Sequence, residues 1–166
     1  MALIRDDSNH EGRAAAAYAL GMIATGAPRA QHKYLAREAF AATMALLGDV
    51  NHPVGRSAAA SMINSIAAGL SRTPNHFIAD GALGSLVELI QDSSFPEGQT
   101  AAASAISTLA HRASRSQRQR IANRALSDLV PLYHQAWNLE AADAARRAVG
   151  WLLATRLTIY DNNLML

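Results

Sequence analysis

Gly81 to His111 reads GALGSLVELIQDSSFPEGQTAAASAISTLAH. Leu83, Leu86, Val87 and Ile90 stand at the i, i+3, i+4, i+7 spacing of a helix with one buried stripe. A polar turn follows, in which Ser94 is placed to cap a second helix and Glu97 to close a capping box. That second helix is rich in alanine, and Ala102, Ile106 and Leu109 form its buried side.

The same pattern recurs on both sides at a fixed distance. Phe40, Leu83 and Leu126 lie 43 residues apart, and no gap is needed to extend the match. Gly12, Gly55 and Gly98 align, as do Ala15, Ala58, Ala101 and Ala144. Leu20, Ile63, Ile106 and Val149 follow, then Ile23, Ile66, Leu109 and Leu152. Leu126, Leu129, Val130 and Tyr133 repeat the first apolar stripe, and Phe40, Thr43, Met44 and Leu47 repeat it more weakly. A short third helix is expected before each apolar one, with Thr73 as its N-cap and Pro74 at its first position. A period of 43 falls in the range of about 40–47 residues typical of stacked helical repeats.

The unit around Gly81-Ala-Leu83, Leu86-Val87, Leu89-Ile90, Gln99, Ala102-Ala103, Ala105-Ile-Ser107 and Leu109-Ala110 resembles an armadillo repeat. Asp49 with Pro53, Val54 and Arg56 is closer to a HEAT repeat, and Glu38 and Arg124 replace the bend residue Gly81. The resemblance implies an all-α, right-handed α-solenoid of about three and a half armadillo/HEAT-like repeats, forming a single domain over residues 1–166. Its expected parts are the last helix of a partial unit at about 12–27, units at about 30–69, 73–112 and 116–156, and a C-terminal tail at 157–166. The leading Asp6 to Glu11 suits a polar end cap, whereas the apolar Leu164-Met-Leu166 suits one poorly.

Composition narrows the class of function. Half of the residues are apolar and 17% are charged, so a folded rather than disordered chain is expected. Fourteen of the fifteen basic residues are arginine, with Lys33 the one lysine, and the net charge is only +2. There is no cysteine, so neither disulfides nor thiolate metal sites arise. No basic-then-apolar leader is present, and the uncharged runs 14–28 and 57–71 fall short of the roughly 18 residues a membrane helix needs. A cytoplasmic protein is expected.

In an armadillo stack the last helices line a concave groove, and the resemblance implies an extended peptide or protein segment bound there. Helical spacing places Thr100, Ser104, Ser107, Thr108 and His111 opposite the buried side of the central unit. Ser61, Asn64 and Ser65 hold that place in the unit before, Tyr18 and Met22 in the first, and Arg147 and Trp151 in the last. The groove is thus expected to be small, polar and almost uncharged at its centre. The importin-α type of groove carries Trp and Asn one turn apart. Ser104 with Thr108, Ser61 with Ser65, Tyr18 with Met22, and Arg147 with Trp151 stand there instead, so nuclear-localisation peptides are not expected.

Arg112, Arg115, Arg118, Arg120 and Arg124 form a second candidate, an anion-binding cluster, although no stacking aromatic is interleaved among them. Nucleic acid is therefore a weaker expectation than a protein ligand. Self-assembly through the incomplete end units is a third reading. The six histidines show no metal-ligand spacing, and no phosphate loop or nucleophile elbow occurs. Asp143 and Arg147 read as an ion pair one turn apart on the last helix. No enzyme, cofactor or metal is expected.

Overall fold

A computed structural model describes residues 9–28, 31, 42–69, 72–135 and 137–163. Every regular element among the described residues is a helix. In chain order they are α1 (His10–Gly26), α2 (residues 42–47), α3 (Pro53–Gly69), α4 (Arg72–Gln91), α5 (Pro96–Arg112), α6 (Arg115–Tyr133) and α7 (Leu139–Asn163).

The helices form two layers. The inner layer is the row α1, α3, α5, α7, in which each helix packs on the next. The outer layer runs beside it: α4 packs on α5 and on α6, and α6 packs on α7. Residues 10, 53, 96 and 139 each begin an inner helix, so the 43-residue period sets every start. The molecule is an all-α solenoid. Phe40 and the end segment Leu164 to Leu166 lie outside the described residues.

Alanine makes the inner row close-packed. Ala59, Ala60 and Ala67 of α3, Ala102, Ala103, Ala105 and Ala110 of α5, and Ala144, Ala145 and Ala148 of α7 are all buried. Larger side chains fill the space between layers, where Leu46, Leu47, Met62, Ile63, Leu86, Leu89, Ile106, Leu109, Ile121, Leu129 and Leu132 are essentially inaccessible. Gly55 and Gly98 occupy one equivalent place where an added side chain would have to displace a neighbouring one. A Cβ at Gly98 would overlap Phe95 and stand 2.8 Å from Leu89 Cδ1, and one at Gly55 would stand 2.7 Å from Leu46 Cδ1.

Two local expectations are corrected. No break separates a short helix from the apolar one at Gly81 or Arg124, because α4 and α6 each run through as one helix. No described glycine takes positive φ, and glycine inside a helix costs only about 1 kcal/mol relative to alanine. Thr73, expected as an N-cap, lies inside α4, and α6 is capped at Ser114. Its capping box joins the Ser114 hydroxyl, which accepts from Gln117 N, to the Gln117 side chain, which accepts from Ser114 N at 2.8 Å. The second correction concerns α5, whose N-cap is Phe95 with no side-chain bond. Ser94 is occupied elsewhere, donating from Oγ to Asp92 Oδ1 at 2.6 Å.

Polar side chains tie the helices together both within a unit and between units. Arg56 Nε donates to Leu47 O at 3.0 Å, and Gln99 Nε2 donates to the equivalent Ile90 O at 2.8 Å. Asp49, in the turn before α3, accepts from His52 Nδ1 at 2.8 Å, from Asn51 N, and from Arg13 Nη1 of α1 at 3.3 Å. The His52 hydrogen bond, helped by the charges of His52 and Arg13 and opposed by partial desolvation, holds the Asp49 carboxyl below its usual 3.8.

Ile23 is 57% exposed, while its equivalents Ile66, Leu109 and Leu152 are 4%, 1% and 1% exposed.

A carboxyl whose folded pKa is depressed stabilises the fold above its unfolded pKa, and that contribution vanishes as pH falls through the folded value. Urea titrations of wild type and Asp49→Asn should therefore differ near neutral pH, with the variant less stable. The gap should close as the pH is lowered past 3.8. A constant gap across that range would show that the charge of Asp49 is not what stabilises the turn.

Candidate functional site

Inner helices are buried on the sides facing their neighbours and the outer layer, which leaves one strip of each exposed. On α5 the strip runs through Glu97, Thr100, Ser104, Thr108 and His111. Equivalent strips pass through Val54, Ser57, Ser61 and Ser65 of α3, through Glu11, Tyr18 and Met22 of α1, and through Glu140, Arg147 and Trp151 of α7. Side by side they make one face.

Two connected hollows open along this face. The larger, 670 Å³, lies between α1, α3 and the start of α5, with Tyr18, Val54, Ser57, Ser61 and Phe95 in its wall and Glu11 and Glu97 on its rim. The smaller, 300 Å³, continues towards α7 past Ser61, Asn64, Thr100 and Ser104 to Glu140. Ser57, Ser61 and Glu97 belong to both.

The sequence-derived residues do not all end up free. Tyr18 and Met22 are 61% and 59% exposed on α1. Ser61, Ser65 and Ser104 are half-buried on the floor. Ser107, by contrast, is buried, because α5 is flanked by α3 and α7 as well as by α4 and α6, which widens its covered arc. Thr108 Oγ1 donates to Asn64 Oδ1 at 2.6 Å, linking α5 to α3. Thr100 Oγ1 donates to Pro96 O at 3.1 Å and reaches Asn138 Oδ1 at 3.4 Å. His111 packs against Trp151 with ring centroids 4.3 Å apart, joining α5 to α7. The face is therefore stitched crosswise by its own polar residues.

One element of the face is absent from the expected set. Glu11, Glu97 and Glu140 are exposed and occupy one position, in the first turn of α1, α5 and α7. The face is not uncharged; it has an acidic edge, interrupted only by Val54 of α3. The signal was present in the 43-residue spacing, but Glu97 also fits a helix cap, and that reading conceals the row.

The arginine cluster resolves into separate contacts. Arg112 Nη2 donates to Ala68 O, in the last turn of α3, at 2.7 Å. Arg118 Nε donates to Ala110 O at 3.0 Å, in the last turn of α5. Both satisfy carbonyls that a helix leaves unpaired at its C-terminus. Arg120 meets Asp80 at 3.6 Å, and the Arg124 guanidinium lies over Gly84. Asp143 pairs with Arg146 at 2.9 Å rather than with Arg147, and Arg146 also sits over the Tyr133 ring. Among the described residues no group of three or more His, Asp or Glu could hold a metal, and no helix is long and apolar enough to cross a membrane.

No family model and no curated protein matches the sequence. Solved structures do. A designed armadillo repeat protein in complex with the peptide (KR)4 superposes with a TM-score of 0.75 at 25% identity, over 92% of this chain and 68% of its own. The chain has an armadillo-like repeat fold. An engineered protein solved by the Northeast Structural Genomics Consortium superposes with a TM-score of 0.80 at 24% identity, over 90% of this chain. This armadillo-like chain spans 60% of that engineered protein's length.

Hydrogen bonds from a charged donor contribute about 1.5–3 kcal/mol. Arg118→Ala should therefore lower the unfolding free energy by about 1.5 kcal/mol in urea titrations. The exposed Arg115 has no partner among the described residues, and Arg115→Ala should stay within about 0.5 kcal/mol of wild type. Equal effects would show that the cluster is not divided in this way.

Proposed function

We propose that the chain is a non-enzymatic scaffold that binds an extended, basic peptide segment along the α1–α3–α5–α7 face. The observation that carries this reading is the row Glu11, Glu97 and Glu140 bordering two connected hollows with a small polar floor. Cationic side chains of a partner meet the glutamates at the edge. An apolar or aromatic side chain enters the larger hollow against Tyr18, Val54 and Phe95. Ser57, Ser61 and Ser104 leave room and offer hydroxyls to the partner's backbone, the pattern expected where a peptide lies across helices rather than into a deep pocket.

The designed armadillo repeat protein supports the reading, since its ligand alternates lysine and arginine. So does the rigidity of the floor. The Thr108–Asn64 and Asn138–Pro96 bonds order the face before a partner arrives, and a preorganised surface loses less entropy on binding.

A fluorescein-labelled alternating Lys-Arg octapeptide, followed by anisotropy, tests the proposal. It should bind saturably and weaken with added salt, whereas a Gly-Ser octapeptide should not bind. Glu97→Arg and Ser104→Arg should each reduce affinity by about tenfold, equivalent to roughly 1.4 kcal/mol, with the thermal transition nearly unmoved. Absence of binding, or unchanged affinity in both variants, would refute the assignment of this face.

A further inference from the structure

A different cavity, on the loop edge between the ends of α4 and α6 and the first turn of α5, has a polarity that selects its ligand. It measures 240 Å³ and is lined by Gln99, Gln135, Asp128, Gln91, Pro131 and Leu132 among others. The repeat explains how it arises. Arg13, Arg56 and Gln99 occupy one position on α1, α3 and α5, and Asp49, Asp92 and Gln135 occupy one position in the turns that follow α2, α4 and α6.

The first of these inter-unit pairs is formed, with Arg13 Nη1 on Asp49 Oδ2 at 3.3 Å and Arg13 only 4% exposed. In the third, both charges are replaced by neutral amides, and the glutamine that replaces arginine is the shorter side chain. Gln99 Nε2 takes over the bond that Arg56 Nε makes, so the orientation of its amide is set. What glutamine lacks is the guanidinium beyond that atom.

The buried unpartnered atoms of the cavity are acceptors only. Gln99 is 2% exposed, and its Oε1 has no hydrogen-bond partner; Gln135 Oε1 is also buried and unpartnered. The Asp128 carboxylate accepts one bond each from Gln91 Nε2 and Ser127 Oγ, which leaves it lone pairs and a negative charge. No basic residue lines the cavity. Two unpaired carbonyl oxygens and a carboxylate repel an anion and match a donor-only cation with several N–H groups in a plane. We propose that this cavity is a guanidinium site, filled by an arginine side chain of a partner or by a small free guanidinium, in the place where the other units carry their own arginine.

The proposal does not depend on the peptide face, and its test reads different residues. The 15N-labelled protein is titrated with methylguanidinium chloride, with the methylamide of N-acetylarginine, and with tetramethylammonium chloride, at constant ionic strength and sub-denaturing concentration. The Gln99 and Gln135 side-chain NH2 signals and the backbone amides of Ile90 and Asp128 should shift saturably with both guanidinium compounds. They should not shift with tetramethylammonium, which has charge but no donor. Tighter binding of the arginine derivative assigns the site to a partner's arginine, and equal binding assigns it to the free ion. The double variant Gln99→Arg/Gln135→Asp restores the pair found in the first unit and should abolish the shifts while keeping the helical spectrum. Should that variant fold poorly, Asp128→Asn, which keeps the shape, should weaken binding about tenfold. No saturable shift with either guanidinium compound, equal shifts with tetramethylammonium, or undiminished binding in the variants would each overturn the proposal.

Discussion

The last carbonyls of an α-helix have no partner within that helix, and a solenoid must satisfy such an end at every turn of the chain. Here the first turn of the next inner helix does so. Arg56 closes the end of α2 at Leu47 O, and Gln99 closes the end of α4 at Ile90 O. Because the donor is four residues into its helix, the bond fixes both the length of the turn and the angle at which the chain re-enters the inner layer. Leu46 and Leu89 then press onto Gly55 and Gly98, so closely that a Cβ there would displace them. The fourth inner helix has Ala142 at the donor position and is secured differently. Asn138, 9% exposed, accepts from Ala141 N and donates to Pro96 O of the unit before. The end-closing bond within a unit is exchanged for a lateral bond between units.

Alanine in the inner row has a further consequence for the face. Small side chains bring the helix backbones together, so most of each inner helix is covered and only a narrow strip stays open. Residues on that strip lie close enough to bond across helices, as Thr108 does to Asn64 and His111 does to Trp151. Packing therefore produces a floor that is both shallow and fixed. A floor of large apolar residues would bury more area, at about 25 cal/mol per Å², but would hold the helices further apart.

The period alone located every inner helix, because a strict spacing of glycine, alanine and branched apolar residues has no other economical explanation. What it did not reveal were choices between competing local bonds. Ser94 could cap α5, yet Asp92 lies two residues before it and takes its hydroxyl, while Pro96 moves the helix start so that Phe95 becomes the cap. Gly81 could end a helix, but with no left-handed backbone required there the outer helix continues through it. The arginines between 112 and 124 display charge in the sequence, but the carbonyls they reach belong to α3 and α5 and are visible only in three dimensions. Ser107 fits the exposed strip by angle alone, and its burial follows from how many neighbours α5 has, which no single-helix projection contains.

These contacts give the net charge of +2 a misleading simplicity. Glutamates 11, 97 and 140 sit in the first turns of their helices, where the positive end of the helix dipole favours an acid by about 0.3–1 kcal/mol. Arg112 and Arg118 sit at the opposite ends and favour the negative poles of α3 and α5. The acids of α1, α5 and α7 therefore gather at one edge of the inner layer although the sum of charges is nearly neutral. The acids that border the hollows therefore need no special support from the fold, since ordinary helix electrostatics already favours them. Removing one costs a fraction of the stability of a domain this size, so the charge along this edge and the integrity of the solenoid can vary independently.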